Sequence, residues 1–428
     1  MNKYLNSENW LNRAEKVIPL GSQTFSKSRT QYPVGISPLY AKFAKGAFLW
    51  DLDGNKFLDL VNALAAVTLG YVDKGMNQAI KKQLKEGITL SLPTKLEAEA
   101  AEKIVELIPA AEKVRFGKNG SDATAAAIRL SRAYTNKQVV LSCGYHGWQD
   151  WYIAGTTRNK GVPEVLSNLI YTFKYNDLDD FKKYIDLYEG KIAAVIMEPM
   201  NMEFPKQGYL EEIRRITKEK SIVLIFDETI TGFRFSPGGA QEFFRVTPDL
   251  ATFGKGIANG MPLSAVVGNR EIMLEMENIF FSGTFGGELL SLAAANYVID
   301  EFKNSRIDLI LSSIGEKIYK EVDKIIYQKG LNEIIRLSGH NSWKFLNWND
   351  FEELDAQTLK TFFMQEMFDE GVLLLNSHNV SACMNSKNIQ KVIDAYEKSL
   401  TSMSNAIINS NLREVLRSKP VEPLFKIR

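Results

Sequence analysis

The chain has 428 residues, of which 45% are hydrophobic and 24% charged, as in an ordinary folded protein. Its 52 basic and 51 acidic side chains nearly cancel, which argues against a nucleic-acid partner, and no apolar run approaches the ~20 residues that span a membrane. Two cysteines and three histidines exclude a disulfide scaffold and disfavour a metal site; with no secretory signal in MNKYLNSENWLNRAEKVIPLG, we expect a cytoplasmic protein.

The first predicted element is a β-hairpin at residues 48–60, FLWDLDGNKFLDL, where two apolar runs flank Asp53-Gly54. From about residue 96 to 300, apolar β-rich runs alternate with helical patterns. We predict strands at 138–142, 192–197, 222–226, 250–253 and 264–267, and helices at 121–135, 209–218 and 287–302. This alternation indicates an α/β fold with a mostly parallel sheet covered by helices on both faces.

After about residue 305 the pattern changes to charged helices, a short strand near 343–346 and a helix at 386–402, which indicates a smaller α+β unit. We therefore expect three segments. Residues 1–70 form an N-terminal segment whose hairpin contributes to the small domain, residues 71–304 form the large domain, and residues 305–428 form the C-terminal small domain.

Two runs carry residues suited to catalysis. In LIFDETITGFR, residues 224–234, Asp227 ends a buried strand, where open α/β sheets bind ligands, although it could simply begin a polar loop. In TFGKGIANGMPLSAVVG, residues 252–268, Lys255 lies between Gly254 and Gly256, which allow a bulky partner to approach. An amine in apolar surroundings becomes a nucleophile, whereas an ordinary lysine is a solvated surface group.

Three further runs could bind parts of a ligand. Gly120 and Ser121 begin an Ala-rich helix whose free N–H groups suit a phosphate, or they could be an ordinary helix start. In CGYHGWQDW, Tyr145 could stack on a flat ring, and His146 could be a base or a structural group. The loop FFSGTFGGE could bind phosphate or be only a turn.

The order of these runs along successive strands is more informative than any one of them. A phosphate loop, an aromatic, a carboxylate and a lysine are what pyridoxal 5'-phosphate (PLP) requires: a lysine for its aldehyde, an acid for its ring nitrogen, a phosphate cup and a stacking partner.

The sequence resembles the class III aminotransferases of PLP fold type I, above all the glutamate-1-semialdehyde 2,1-aminomutases. The likeness extends from IPLGSQTFSKS to the last predicted helix and is densest in DETITGFR, GGAQEFFRVTPDLATFGKGIANGMPL and SGTFGGE. It implies that residues 71–304 bind PLP, that Lys255 holds it as a Schiff base and shuttles a proton, and that Asp227 pairs with the ring nitrogen.

The resemblance also implies the remaining cofactor contacts. Gly120 and Ser121 would hold the phosphate, while Tyr145 and Thr229 would flank the ring. Two more residues complete the set: Glu198, in MEPMN, at the edge of the site, and Thr284, on the phosphate of the neighbouring subunit's cofactor. The family builds its sites at a homodimer interface, so the resemblance implies a homodimer with shared active sites.

Four departures from the aminomutase pattern lie on the substrate side. Lys27 replaces an arginine, Leu64 a tryptophan and Val380 a glutamate, and the stretch before GVPE, AGTTRNK, is shorter. We predict that Lys27 or Arg29, with His146 as a further candidate, contacts the substrate, and that an anionic group of the substrate meets one of the two basic residues.

Three functions remain open. The leading prediction is a transaminase that moves an amino group from a small-molecule amino donor to a carbonyl acceptor. The main alternative is intramolecular amino transfer by an isomerase of the aminomutase type. A third is a cofactor-bearing relative retained for assembly or regulation, against which the intact Lys255 and Asp227 argue.

Overall fold

A computed structural model describes residues 3–422 of the chain. These residues form two compact units. The small unit comprises the residues up to Asp73 together with those from Ile310 on, and the large unit comprises Lys74–Leu309.

The described residues contain strands in both units. They are β1 (Ala41–Lys45), β2 (Phe48–Asp51), β3 (Lys56–Asp59), β4 (Lys113–Gly117), β5 (Val139–Cys143), β6 (Ile170–Thr172), β7 (Ile192–Met197), β8 (Val223–Asp227), β9 (Leu250–Phe253), β10 (Ser264–Gly268), β11 (Ile335–His340), β12 (Trp343–Trp348), β13 (Val372–Leu373) and β14 (Ser377–Asn379).

The α-helices are α1 (Leu5–Ala14), α2 (Asn62–Ala65), α3 (Lys74–Leu84), α4 (Lys95–Leu107), α5 (Gly120–Thr135), α6 (Asp150–Ile153), α7 (Leu178–Leu187), α8 (Tyr209–Glu219), α9 (Gly239–Phe244), α10 (Arg270–Leu274), α11 (Leu289–Ser305), α12 (Ile307–Gln328), α13 (Ala356–Asp369), α14 (Ser386–Ile408) and α15 (Leu412–Val415). No helix among residues 3–422 is long and apolar enough to cross a membrane.

A seven-stranded sheet in the order β4-β10-β9-β8-β7-β5-β6 forms the centre of the large unit. The pairs β9/β8, β8/β7, β7/β5 and β5/β6 are parallel, and β10 runs against its two neighbours, β4 and β9. This confirms the predicted α/β fold with a mostly parallel sheet. The reversed direction of β10 and the strands β4 and β6 were not predicted.

Apolar side chains pack on both faces of this sheet. Ile225 on β8 contributes to a core cluster that includes residues of α5, while its neighbours Leu224 and Phe226 contribute to a cluster that includes residues of α7 and α8. The predicted burial of both faces is therefore confirmed. It explains why these strands are apolar at every position instead of alternating with polar residues.

The small unit contains two sheets, one in the order β1-β2-β3-β13 and one in the order β11-β12-β14. The antiparallel pair β2/β3 is the predicted hairpin, with Phe48 opposite Leu58. The predicted helix at 386–402 extends to Ile408 in α14, and a short helix, α15, follows it.

The helical turn α2 is left-handed. Asn62, Ala63, Leu64 and Ala65 have φ values of 47°, 52°, 61° and 69°, although residues other than glycine rarely adopt such values. The Asp59 carboxylate accepts the N–H groups of Val61 and Asn62 at 2.7 and 3.0 Å. This buried carboxylate helps to hold a conformation that costs roughly 1–2 kcal/mol per residue.

Candidate active site

The carboxyl ends of three neighbouring strands bring the candidate residues of the large unit together. Cys143 at the end of β5 pairs with Met197 at the end of β7, and β8 ends at Asp227 beside them. Tyr145 and His146 follow β5, and Glu198 follows β7 directly. The sequence predicted such a grouping because ligands bind at this edge of a parallel sheet.

Asp227 is buried, and its two carboxylate oxygens have different partners. Oδ1 accepts the backbone N–H of Thr229 at 3.1 Å, the Thr229 hydroxyl at 2.6 Å and the Thr252 hydroxyl at 3.1 Å. Oδ2 lies 2.8 Å from Nδ1 of His146. Burial raises the pKa of Asp227, but the hydrogen bond and charge of His146 and the bonds from Thr229 outweigh it, so the pKa is below its ordinary value. Asp227 is therefore held as a carboxylate.

His146 is fully buried beside Asp227. Its backbone carbonyl accepts the Thr124 hydroxyl at 2.8 Å, and its ring lies edge-on to Tyr152, with 5.4 Å between centroids. The ring is held by its Nδ1 contact with Asp227 and by Tyr152, while its buried Nε2 has no hydrogen-bond partner among the described residues. These contacts favour a role through Asp227 over the direct substrate contact predicted for His146.

Lys255 follows the carboxyl end of β9 and has a φ of 44°, in the left-handed region. Burial lowers the pKa of its amine, the carboxylates of Asp227 and Glu198 oppose this, and the buried Arg234 guanidinium adds to the lowering. A strained backbone next to a partly buried amine with a lowered pKa is typical of functional sites. The lowered pKa increases the fraction of neutral, nucleophilic amine.

Glu198 is also buried. Its Oε2 accepts the N–H of Tyr145 at 3.0 Å and a hydrogen bond from the side-chain amide of Asn201. Burial and the nearby negative charge of Asp227 raise the pKa of Glu198 to about 7, although His146, the Tyr145 N–H and Lys255 act in the opposite direction. The site thus holds one ionised carboxylate and one that is partly protonated near neutral pH.

We expect Glu198→Gln to stabilise the cofactor-free protein at pH 8. A carboxyl whose pKa is raised on folding from 4.5 to about 7 favours the folded state at low pH and loses that stability as the pH rises through 7. The gain at pH 8 should be about 3 kcal/mol at most, and it should vanish below pH 4.5. Thermal unfolding at about pH 4, 6 and 8 measures it; an equal effect at all three would contradict the raised pKa.

The amino end of α5 offers N–H groups that have no partner within the helix. Asn119 and Asp122 form a capping box there, with the Asp122 carboxylate accepting the N–H of Asn119 at 2.8 Å. Ser121 Oγ accepts the N–H of Trp148 at 3.3 Å. The first turn of α5 therefore suits a phosphate group.

Two glycines let the Thr229 side chain pack directly against the backbone in this region. A Cβ atom added to Gly120 would lie 3.0 Å from Cγ2 of Thr229, and one added to Gly254 would lie 3.2 Å from the same atom. Thr229 thus lies against the backbone of both glycines, between the phosphate loop and the turn that carries Lys255. The arrangement fits PLP: an amine, a carboxylate and a helix start surround one region lined by glycine.

Two other predicted cofactor contacts lie in more exposed positions. The Tyr145 side chain is half exposed, and its ring meets Tyr152 edge-on with 5.7 Å between centroids. Thr284 is exposed in the turn before α11, and within the described residues no hydrogen bond joins its side chain to the site. The predicted contact of Thr284 with a neighbouring subunit stays a prediction.

Lys27 and Arg29 lie in the small unit and differ in their surroundings. Arg29 forms an ion pair with Glu15. Lys27 lines a cavity of about 220 Å³ whose walls include Tyr32, Tyr40, Leu64 and other side chains of the same unit. Among residues 3–422 its amine has no ion-pair partner, which favours Lys27 over Arg29 as the residue that binds an anion.

Thr252 was not predicted as a site residue. It lies within the β-rich run ATF, where a threonine is an ordinary strand residue. Only the pairing of β8 with β9, which places Thr252 opposite Asp227, brings its hydroxyl to the Asp227 carboxylate. Within the described residues, no group of His, Cys, Asp and Glu could hold a metal ion.

The fold and this group of residues define a PLP-dependent enzyme of fold type I. The family model "Aminotransferase class-III" matches residues 31–407, and the chain belongs to this family. It is 31% identical to the 3-aminobutyryl-CoA aminotransferase of Cloacimonas acidaminovorans, covering 95% of this chain and 99% of the relative. It is 34% identical to the glutamate-1-semialdehyde 2,1-aminomutase of Francisella tularensis subsp. holarctica, covering 91% and 96%.

Solved structures agree with the fold. An omega-transaminase from Sphaerobacter thermophilus superimposes with a TM-score of 0.84 at 25% identity, covering 93% of this chain and 97% of that one. The PLP internal aldimine form of the FumI protein from Sphingopyxis sp. MTA144 superimposes with a TM-score of 0.88 at 23% identity, covering 97% and 99%. The predicted family and fold are therefore confirmed.

Proposed function

We propose that the enzyme transfers an amino group between a small-molecule amino donor and a separate carbonyl acceptor, with PLP bound to Lys255. The observation that carries this proposal is the placement of Lys255, two residues after the end of β9, beside the buried carboxylate of Asp227 at the end of the neighbouring strand β8. The cofactor supplies an electron sink when the Cα–H bond of the donor breaks.

The chain's own residues would perform the other steps. Once the donor's amine has replaced it at the cofactor's aldehyde, the free Lys255 amine would accept the proton of the donor's Cα and hold it for return to the reacting atoms. The Asp227 carboxylate would keep the ring nitrogen protonated, and Gly120 and Ser121 would hold the phosphate. Tyr145 and Thr229 would orient the ring from its two faces, with Glu198 at the edge of the site.

The test is a set of half-reactions followed through the visible spectrum of the bound cofactor. Candidate donors are added one at a time without an acceptor, and the keto product is measured. Bleaching with stoichiometric keto product, reversed by an added carbonyl acceptor, is the expected result. A holoenzyme that leaves every donor unchanged would contradict the proposal.

Intramolecular amino transfer is the second candidate, and the 34% identity to an aminomutase favours it. A mutase isomerises its substrate without an external donor, whereas a transaminase releases one keto product for each amino group taken. The 31% identity to a 3-aminobutyryl-CoA aminotransferase supports the transaminase. The substituted positions Lys27, Leu64 and Val380 support a substrate other than glutamate 1-semialdehyde.

We further propose that Lys27 binds an anionic group of the substrate. Its cavity is lined mainly by apolar and aromatic side chains, and its one carboxylate, Asp59, already accepts hydrogen bonds from Val61, Asn62 and Tyr71, so a substrate with a short apolar body and an anionic group at Lys27 suits it. The lysine ammonium is a point charge and lacks the bidentate geometry of an arginine guanidinium, so we expect a single contact with the anion.

We expect Lys27→Gln to raise the KM for the acceptor about tenfold and to change kcat by less than about twofold, because a charge-assisted hydrogen bond is lost from binding alone. Arg29→Gln is the matched control: its guanidinium already pairs with Glu15, so KM should stay the same. Unchanged KM in the Lys27 variant, or a larger effect at Arg29, would refute the assignment.

We also propose a cytoplasmic homodimer in which Thr284 reaches the partner's cofactor. Large apolar side chains are exposed in two segments of the large unit: Leu84, Ile88, Leu90 and Leu92, then Phe280 and Phe285. The N–H of Leu289 binds the carbonyl of Ile88 at 2.9 Å, which holds the start of α11 against the first segment. Exposed large apolar side chains in two segments joined in this way favour coverage by a second subunit.

A further inference from the structure

The two carboxylate oxygens of Asp227 differ in the number of hydrogen bonds that they accept. Oδ1 accepts three hydrogen bonds, two from Thr229 and one from Thr252. In the described part of the chain, Oδ2 has a single hydrogen-bonding neighbour, Nδ1 of His146 at 2.8 Å. A carboxylate oxygen offers about two lone-pair sites. Oδ1 is therefore saturated, and Oδ2 is the oxygen with room for one more donor.

Thr252 is more deeply buried than Thr229. It lies inside the sheet on β9, opposite Asp227, and its carbonyl accepts the N–H of Glu228 at 2.9 Å. Its side chain is fully buried, so its hydroxyl has no access to bulk water. Thr229, by contrast, lies in the loop after β8 and is partly exposed. A hydroxyl on a buried strand is the better anchor for a carboxylate that must not rotate.

We infer that Thr252 is a positioning residue that, together with Thr229, occupies Oδ1 of Asp227 and so directs Oδ2 to the N–H of the cofactor ring. The inference rests on the proposed function, because it assumes that Asp227 meets the ring nitrogen. Thr252 itself touches neither the cofactor nor the substrate in this scheme. It acts through the orientation of Asp227.

In this scheme, different groups contact the two oxygens of the Asp227 carboxylate. Nδ1 of His146 lies at Oδ2, and the hydroxyls of Thr229 and Thr252 donate to Oδ1. The ring nitrogen would donate to the remaining site on Oδ2. If the Thr252 hydroxyl is lost, Oδ1 keeps only the two hydrogen bonds from Thr229, which lies in a loop, and the carboxylate is held less tightly against rotation about its Cβ–Cγ bond. The ring then meets a poorly aimed acceptor, while the binding of the substrate is unchanged.

The test uses the holoenzyme of Thr252→Val, which keeps the shape of the side chain and removes the hydroxyl. We expect kcat to fall about tenfold, with KM for donor and acceptor within about twofold and with a shifted absorption maximum of the bound cofactor. Thr252→Ser restores the hydroxyl and should recover most of kcat and the normal spectrum. A purely structural role would not move the spectrum or respond to serine in this way.

Thr217→Val is the matched control. Thr217 is equally buried, and its hydroxyl donates to the carbonyl of Arg214 within α8, outside the site. The inference is overturned if Thr252→Val lowers kcat no more than Thr217→Val does, if KM alone changes, or if serine fails to restore activity. These results differ from a failure of the proposed function, in which Asp227→Ala itself would keep its activity.

A double-mutant cycle gives a second, independent readout. Because Thr229 and Thr252 act on the same oxygen, Thr229→Val combined with Thr252→Val should lower kcat by a factor clearly different from the product of the two single effects. Strictly multiplicative losses would mean that the two hydroxyls act independently, and would contradict a shared positioning role.

Discussion

Lys255→Ala should abolish amino transfer, with kcat reduced by about 10³-fold or more, because the substitution removes both the covalent anchor of the cofactor and the base that moves the proton. The variant should still bind PLP through the amino end of α5 and Asp227. Its visible spectrum should therefore change to that of the free aldehyde without disappearing. Product formation and the spectrum of the purified variant measure the two effects.

A second lysine provides the control for this result. Lys344 in the small unit is also partly buried, and burial lowers its pKa as it does for Lys255. Lys344→Ala should retain kcat within about twofold once the protein is folded. If Lys255→Ala remained as active as Lys344→Ala, the assignment of the reactive amine would be wrong.

Asp227→Ala should lower kcat by about 10³-fold while weakening PLP binding much less, by about tenfold. The carboxylate acts on the ring nitrogen in the step that releases electrons from Cα, whereas the phosphate and the lysine provide most of the binding. Its loss also removes a charge that raises the pKa of Lys255 and of Glu198. Single-turnover rates with a saturating donor and PLP titrations separate the two quantities.

Two related variants identify which property of Asp227 matters. Asp227→Asn keeps the shape and loses the charge, so it should resemble the alanine variant in kcat. Asp249→Asn is the control, because Asp249 forms a bidentate pair with Arg214 at 2.7 and 2.8 Å and precedes β9. We expect that variant to lose stability and to keep its turnover. Near-normal turnover in Asp227→Asn would contradict the electron-sink role.

Individual residues show where the sequence was sufficient for prediction. The strand that ends at Asp227 and the turn that carries Lys255 follow from apolar runs that stop at polar or glycine residues, which is a local pattern. The family motifs around them are equally local. The roles of residues that depend only on their own segment could therefore be predicted from the sequence.

The roles of residues that depend on a partner distant in the sequence could not be predicted from the sequence. The position of Thr252 beside Asp227 follows only from the pairing of β9 with β8. Lys27 can be distinguished from Arg29 as an anion-binding candidate only because Arg29 forms an ion pair with Glu15. The antiparallel direction of β10 is defined by its pairing with β4 and β9, and no pattern within the residues of β10 indicates it.

The left-handed turn α2 is a similar case. Its sequence NALA is typical of a right-handed helix, and the positive φ values depend in part on the carboxylate of Asp59. Strain of this kind results from the surrounding structure, not from the local sequence.

The most direct test of the reactive amine is to reduce the holoenzyme with borohydride, digest it and locate the pyridoxyl phosphate group by mass spectrometry. We predict that the added mass is on the peptide containing Lys255 and that the Lys255→Ala enzyme carries none. A modified peptide containing a different lysine, or an unmodified wild-type digest, would contradict the account of this site.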